Sequence, residues 1–159
     1  MAVAQLLILL ITANGAPVLA HWLWRGRGAA PIDGGRVLRD GHPLLGASKT
    51  WRGLAAALLA TPAAALAVGL DAPTGLLIAV AAMGGDLLSS FIKRRLALPP
   101  SSQSLGLDQI PESILPALAA APRLHLSPWD IVLSVVLFFL LELGLSRVLY
   151  RLGIRQRPY

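Results

Sequence analysis

Asp86 is a lone carboxylate inside an apolar run, Pro73 to Ile92, that ends in Lys93-Arg94-Arg95. At bilayer depth such a charge costs roughly 2.5 kcal/mol or more, so it needs a function or a partner. On a helix, Asp86, Ser89, Ser90 and Lys93 stand at i, i+3, i+4 and i+7, which makes one polar face about 10 Å long. That face leads to a basic end, an arrangement suited to a metal ion and an anion. Further on, Asp108-Gln109 brings a second carboxylate. Together Asp86 and Asp108 can hold a hard cation such as Mg²⁺, which usually takes one or two carboxylates plus substrate phosphates. A third polar stretch, Gly46 to Gly53, gathers Ser48, Lys49, Thr50 and Arg52 at the start of an apolar segment. Small residues, hydroxyls and two cations at a helix entrance suit a polyphosphate, because the macrodipole also favours anions there. The stretch is not a P-loop, since two residues separate Gly46 from Lys49 and no strand pattern precedes them. Two aspartates facing a basic cleft fit a nucleotide-dependent reaction.

The elements that must position these groups are apolar. Of 159 residues 55% are hydrophobic and 14% charged, and the mean hydropathy is +0.66. This is the profile of an all-α integral membrane protein, a single membrane domain over residues 1–159. The chain has no cysteine, which removes disulfides, thiolate zinc sites and thiol nucleophiles. A net charge of +6 does not point to nucleic acid, because the charges fall in clusters rather than over a general surface.

Strong spans are expected at Ala2–Trp24, Leu54–Leu70, Pro73–Ile92 and Trp129–Tyr150. Asn14-Gly15-Ala16-Pro17 predicts a kink or local unwinding in the first. Between the last two, Gln109–Ala121 carries Pro111 and Pro116 and covers only about 20 Å, so it reads as a short Pro-broken crossing or a re-entrant element. The basic residues favour a crossing. With five transmembrane helices, Arg25 to Arg52, Lys93 to Arg95 and Arg147 to Arg157 all share one side, and only Arg123 lies on the other. The positive-inside rule then puts the N-terminus outside and a polar cleft on the cytoplasmic face. Trp22, Trp24, Trp51 and Trp129 read as interfacial anchors. Asp33 and Asp40, beside Gly34 and Gly41, read as turn formers, and His21, His42 and His125 do not cluster. Gly84-Gly85 and the alanines from Ala55 to Ala67 read as close-packing positions, whereas Glu142 in the last span is expected to face the bundle interior and pair with an arginine.

Several strings resemble the motifs of the CDP-archaeol synthase family, a small membrane family related to phosphatidate cytidylyltransferases. They are Asp33, Asp40-Gly41, Pro43 to Gly46, Ser48 to Gly53, Gly85-Asp86, Ser90 to Arg95 and Asp108-Gln109, together with Ala13-Asn14 and Pro17 in the first helix. The resemblance covers nearly the whole chain. It implies five transmembrane helices and an enzyme that uses CTP and Mg²⁺ to convert a membrane lipid phosphate, archaetidic-acid-like or phosphatidate-like, into a CDP-lipid with release of pyrophosphate. On that basis Asp86 and Asp108 are expected to hold Mg²⁺, and Lys49 and Arg52 the nucleotide phosphates. Lys93, Arg94 and Arg95 would take the lipid phosphate or departing pyrophosphate, with Asn14, Ser48, Thr50, Ser90 and Gln109 as polar positioning groups. The residues alone leave two other classes open, a small transporter or channel subunit and a non-catalytic membrane scaffold. Nothing in the pattern sets an oligomeric state.

Overall fold

A computed structural model describes residues 1–24, 27–99, 102 and 104–154, so Arg25, Arg155 and Arg157 of the basic clusters, and Pro100, Ser101 and Gln103, lie outside the described residues. The chain forms five helices: α1 (Ala2–Leu23), α2 (Trp51–Ala67), α3 (Ala72–Arg95), α4 (Gln109–Leu124) and α5 (Pro128–Arg151). Of these, α1, α3 and α5 are long and apolar enough to cross a membrane, and α2 is a shorter apolar helix. Caps set their starts. Thr50 Oγ1 accepts from Gly53 N at 3.2 Å, Asp71 from Thr74 N at 2.7 Å, and Ser127 with Asp130 forms a capping box.

Each helix packs against its neighbour in sequence, and α1 also contacts α3, α4 and α5. Two tethers mark one end of the bundle. Gln5 Nε2 donates to the Val68 carbonyl at 2.9 Å, and Arg123 Nη1 donates to Thr74 Oγ1 at 3.1 Å. α4 therefore returns to the end where α3 begins, which makes it an antiparallel crossing segment and not a re-entrant one. The opposite end collects loop 1 (between α1 and α2), the C-terminus of α3, loop 2 (between α3 and α4) and the C-terminus of α5. All the described basic residues except Arg123 belong there. Trp22, Trp24 and Trp51 are exposed at this end and Trp129 at the other, as interfacial anchors should be. Exposed leucines and valines such as Leu59, Val80, Val132 and Leu140 cover the outside.

Prolines do not break the helices. α1 runs through Asn14 to Pro17 without unwinding, and Asn14 Nδ2 donates back to the Leu10 carbonyl at 3.0 Å. α4 is short, as expected at about 24 Å, but Pro116 and Pro122 lie within it rather than ending it. Pro111 sits in its first turn, where no intrahelical N–H bond is needed. The bundle is dry in one half only. Leu6, Leu9, Leu10, Ala65, Ile78, Ala117, Ala120, Leu124 and Phe138, drawn from all five helices, form a buried cluster away from the basic end.

Glycine sets the helix spacing at three places. A Cβ on Gly53 would press on Pro17 of α1, one on Gly75 on Ala65 and Pro62 of α2, and one on Gly85 would collide with the backbone of Pro111 and Glu112 in α4. Gly84 faces open space, so of the Gly84-Gly85 pair only Gly85 is a packing position.

Loop 1 is organised by Asp33. Its Oδ2 accepts from Leu45 N at 2.8 Å and Gly46 N at 3.0 Å, and its Oδ1 accepts from Gly35 N at 2.9 Å. Burial favours the neutral acid, but these backbone donors outweigh it and hold the Asp33 carboxyl below its usual value. Asp40 and the carbonyls of His42 and Pro43 are gathered by the Arg95 guanidinium, which also lies 5.3 Å over the Phe91 ring.

Gly85→Ala should destabilise the protein by at least about 1–3 kcal/mol through overpacking, whereas Gly84→Ala should be neutral or stabilising by up to about 1 kcal/mol. Thermal unfolding in detergent compares them. Because the folded Asp33 carboxyl is depressed, its stabilisation is complete above the unfolded value and lost as pH falls through the folded one. Protection of the Leu45 and Gly46 amides, corrected for intrinsic exchange, should stay constant from neutral pH to pH 5 and collapse only below the ordinary carboxylate range, about 3.9.

Candidate functional site

The basic half of the bundle encloses a cavity of about 390 Å³, within the range of small-molecule sites. Loop 1 contributes Ser48, Lys49 and Thr50; α3 contributes Asp86, Ser90, Lys93 and Arg94; loop 2 and α4 contribute Ser102, Asp108, Gln109 and Glu112. From α1 come Asn14 and His21, and from α5 Glu142 and Ser146. The cavity thus brings together ten of the twelve site residues expected from sequence.

Arg52 and Arg95 are not among its lining residues. Arg52 donates to the Arg27 carbonyl and lies 3.5 Å from His21 Nδ1, while Arg95 straps loop 1 to α3. Both guanidinium groups are engaged in fixing the loop that carries Lys49. Periodicity explains Arg95: it falls off the face shared by Asp86, Ser90, Lys93 and Arg94.

Two ion pairs span the site. Lys49 Nζ lies 2.5 Å from Asp86 Oδ1, which joins loop 1 to α3, and Lys93 Nζ lies 2.7 Å from Asp108 Oδ1, which joins α3 to the start of α4. Lys93 also donates to the Ser102 carbonyl at 2.9 Å. Burial opposes the charge of Lys49, but Asp86, Glu112 and Asp108 outweigh it and hold the ammonium above its usual value. Lys49 therefore stays charged at any physiological pH. Arg94 is different. It is 3% exposed, its Nη2 donates to the Pro99 carbonyl at 3.0 Å, and its Nε and Nη1 are buried without a hydrogen-bond partner. Buried donors of this kind are costly unless an acceptor arrives, and a phosphate oxygen would satisfy them.

Glu112 was missed in the sequence. Its carboxyl sits within hydrogen-bonding reach of Asp86, and it is 7% exposed. The available signal was its i+4 spacing from Asp108, which puts both on one face of α4. Glu142 lines the same cavity one helical turn from Ser146.

Lining side chains include three basic groups (Lys49, Lys93, Arg94) and four acidic ones (Asp86, Asp108, Glu112, Glu142) among the described residues. Acidic and basic groups interleaved in this way suit a polyanion accompanied by a multivalent cation. The oxygen donors suit Mg²⁺. Among the described residues no three His, Cys, Asp or Glu side chains converge as a preformed metal cage, and Mg²⁺ rarely needs one when phosphates complete its shell.

Comparison with known proteins agrees with this architecture. A sequence model of the CarS-like CDP-archaeol synthase family matches residues 63–159. CDP-archaeol synthase of Thermococcus kodakarensis is 35% identical, with 92% of this chain and 89% of the relative covered. The Pyrococcus furiosus enzyme of that name is 33% identical over 92% of this chain and 90% of its own, and the Aeropyrum pernix one 36% identical over 92% and 85%. A solved structure, described as giving structural insight into an intramembrane enzyme for archaeal membrane lipids biosynthesis, superposes with a TM-score of 0.77 and 34% identity, covering 89% of this chain and 90% of that one. With whole-chain similarity of this extent, a family model over most of the sequence and the same helical bundle, the chain belongs to the CDP-archaeol synthase family.

Proposed function

We propose that the protein is a CTP-dependent cytidylyltransferase that converts a membrane lipid phosphate, archaetidic-acid-like or phosphatidate-like, to a CDP-lipid with release of pyrophosphate. The observation that carries this reading is the meeting of Lys49, Asp86, Asp108 and Glu112 from three separate segments in one membrane-flanked cavity, beside the unsatisfied donors of Arg94. No observation favours a transporter or a silent scaffold.

The chemistry asks for little covalent help from the protein. A lipid phosphate oxygen attacks the α-phosphorus of CTP in line, one P–O bond forms, and the bond to the departing pyrophosphate breaks. Positioning and charge neutralisation dominate such transfers. Lys49 and Lys93 are held in place by their carboxylate partners, so their charges are oriented before substrate arrives. Arg94 offers two N–H groups to phosphate oxygens, and Ser48, Thr50, Ser90 and Gln109 provide further polar contacts around it. Asp86 and Asp108, with Glu112 beside Asp86, would hold Mg²⁺, which neutralises the triphosphate and polarises its oxygens when bound. The clustering of positive charge at the cavity end supports a cytoplasmic site and an outside N-terminus, where soluble CTP meets a membrane-embedded acceptor.

Pyrophosphate release is measured with CTP, Mg²⁺ and a panel of lipid phosphates in mixed micelles. The wild-type protein should depend on both CTP and acceptor, and chelation should abolish release until Mg²⁺ is returned. Asp86→Asn should lower turnover by about 100-fold or more in protein that thermal unfolding shows to be folded at the assay temperature; near wild-type activity would remove Asp86 from the machinery. Glu112→Gln should raise the Mg²⁺ concentration needed for half-maximal rate, and an unaltered requirement would limit Glu112 to a structural part.

A further inference from the structure

α1 and α5 meet along a seam that no connecting loop bridges. A side cavity of about 30 Å³ occupies that seam and shares Asn14, Val18, Glu142 and Ser146 with the main cavity. Away from the site its walls are Ile11, Phe138, Leu145 and Leu149. Polarity therefore grades from apolar at the seam to polar at the site, and beyond that to Lys49, Lys93 and Arg94. On the same two helices Ile8, Leu19, Leu141 and Val148 are 44–50% exposed, which puts the seam at the lipid-facing edge of the bundle. Gly15 lies in the wall, and a Cβ there would meet nothing within 4 Å.

We infer that the α1–α5 seam is the lateral passage by which a hydrocarbon chain of the lipid phosphate lies in the bilayer while its phosphate reaches the cavity. The occupant is fixed by amphiphilic complementarity: an apolar chain matches the Ile11, Leu145 and Leu149 walls, and an anionic head matches the cations at the inner end. At 30 Å³ the side cavity has room for about one water, so the seam is nearly closed and must part to admit a chain. No loop joins α1 to α5 to resist that movement. The missing side chain at Gly15 keeps the wall thin where the seam meets the polar groups. This inference rests on the lipid-phosphate reading above.

Gly15→Leu tests it, because a side chain there projects into open space and also replaces glycine with a better helix former. The KM for a long-chain lipid phosphate should rise about tenfold, with the Kd for CTP unchanged. Gly144→Leu, also in open space but exposed on α5 outside both cavities, should leave the lipid KM at the wild-type value. An unchanged lipid KM in Gly15→Leu, or a rise accompanied by equal loss of CTP affinity, would overturn the passage. A lipid phosphate with a diazirine in its chain gives a readout independent of turnover: labelling should fall on α1 and α5 near Ile11 and Leu145, and labelling confined to other seams would overturn it. Failure of the wild-type protein to form any CDP-lipid sinks the functional reading instead.

Discussion

The absence of a side chain at Gly85 is the constraint on which the site depends. α4 rests its first turn directly on the backbone of α3, where a single methyl group would strike the Pro111 carbonyl. That approach puts Glu112 at the height of Asp86 and leaves Asp108 beside Lys93. It also fixes where α4 begins, partway along α3, and the space left beyond its N-terminus on the basic side becomes the cavity. α4 is short for a crossing because it spans only the dry part of the bundle.

Charge is distributed to keep that space open and ordered. The three adjacent cations at the end of α3 divide their tasks by their angle around the helix. Lys93 reaches loop 2 and Asp108, Arg94 keeps two donors in the cavity wall, and Arg95 turns outward to hold loop 1. Asp33 folds the other side of loop 1 on itself, and Thr50 starts α2 so that Lys49 meets Asp86. Partly buried pairs of this kind gain little net stability over apolar packing, but losing one partner leaves an uncompensated charge. Their effect here is to hold a loop, a long helix and a short helix in one register around a polar cavity inside a membrane protein.

The two halves of the bundle follow different physics. The end opposite the basic loops is closed by leucine, alanine and Phe138, and in a bilayer its tightness comes from packing and small residues rather than from water exclusion. At the basic end a cavity lined by polar groups lies between the helices. A lipid-modifying enzyme requires this division, since one substrate is soluble and the other never leaves the membrane.

Much of this was legible in the residues. Hydropathy gave the spans to within a few positions, the basic clusters gave a common end, and Asp86 announced itself by the cost of a charge in an apolar run. Turn chemistry identified Asp33 and Asp40 as loop organisers, and motif strings carried the family. Other features depend on distance between segments, which no local pattern encodes. Glu112 looked like a first-turn acid of α4 until Gly85 brought it against Asp86. Arg52 and Arg95 have the chemistry of phosphate ligands, yet their donors meet loop carbonyls and Asp40 first. Gly84 and Gly85 are adjacent and identical, and only the position of α4 tells them apart. The sequence by itself determined the membrane class, the helices and the stock of charged groups, because these follow from composition and period. Tertiary structure alone decided which charges face one another and where α1 meets α5, because those follow from how closely the backbones approach.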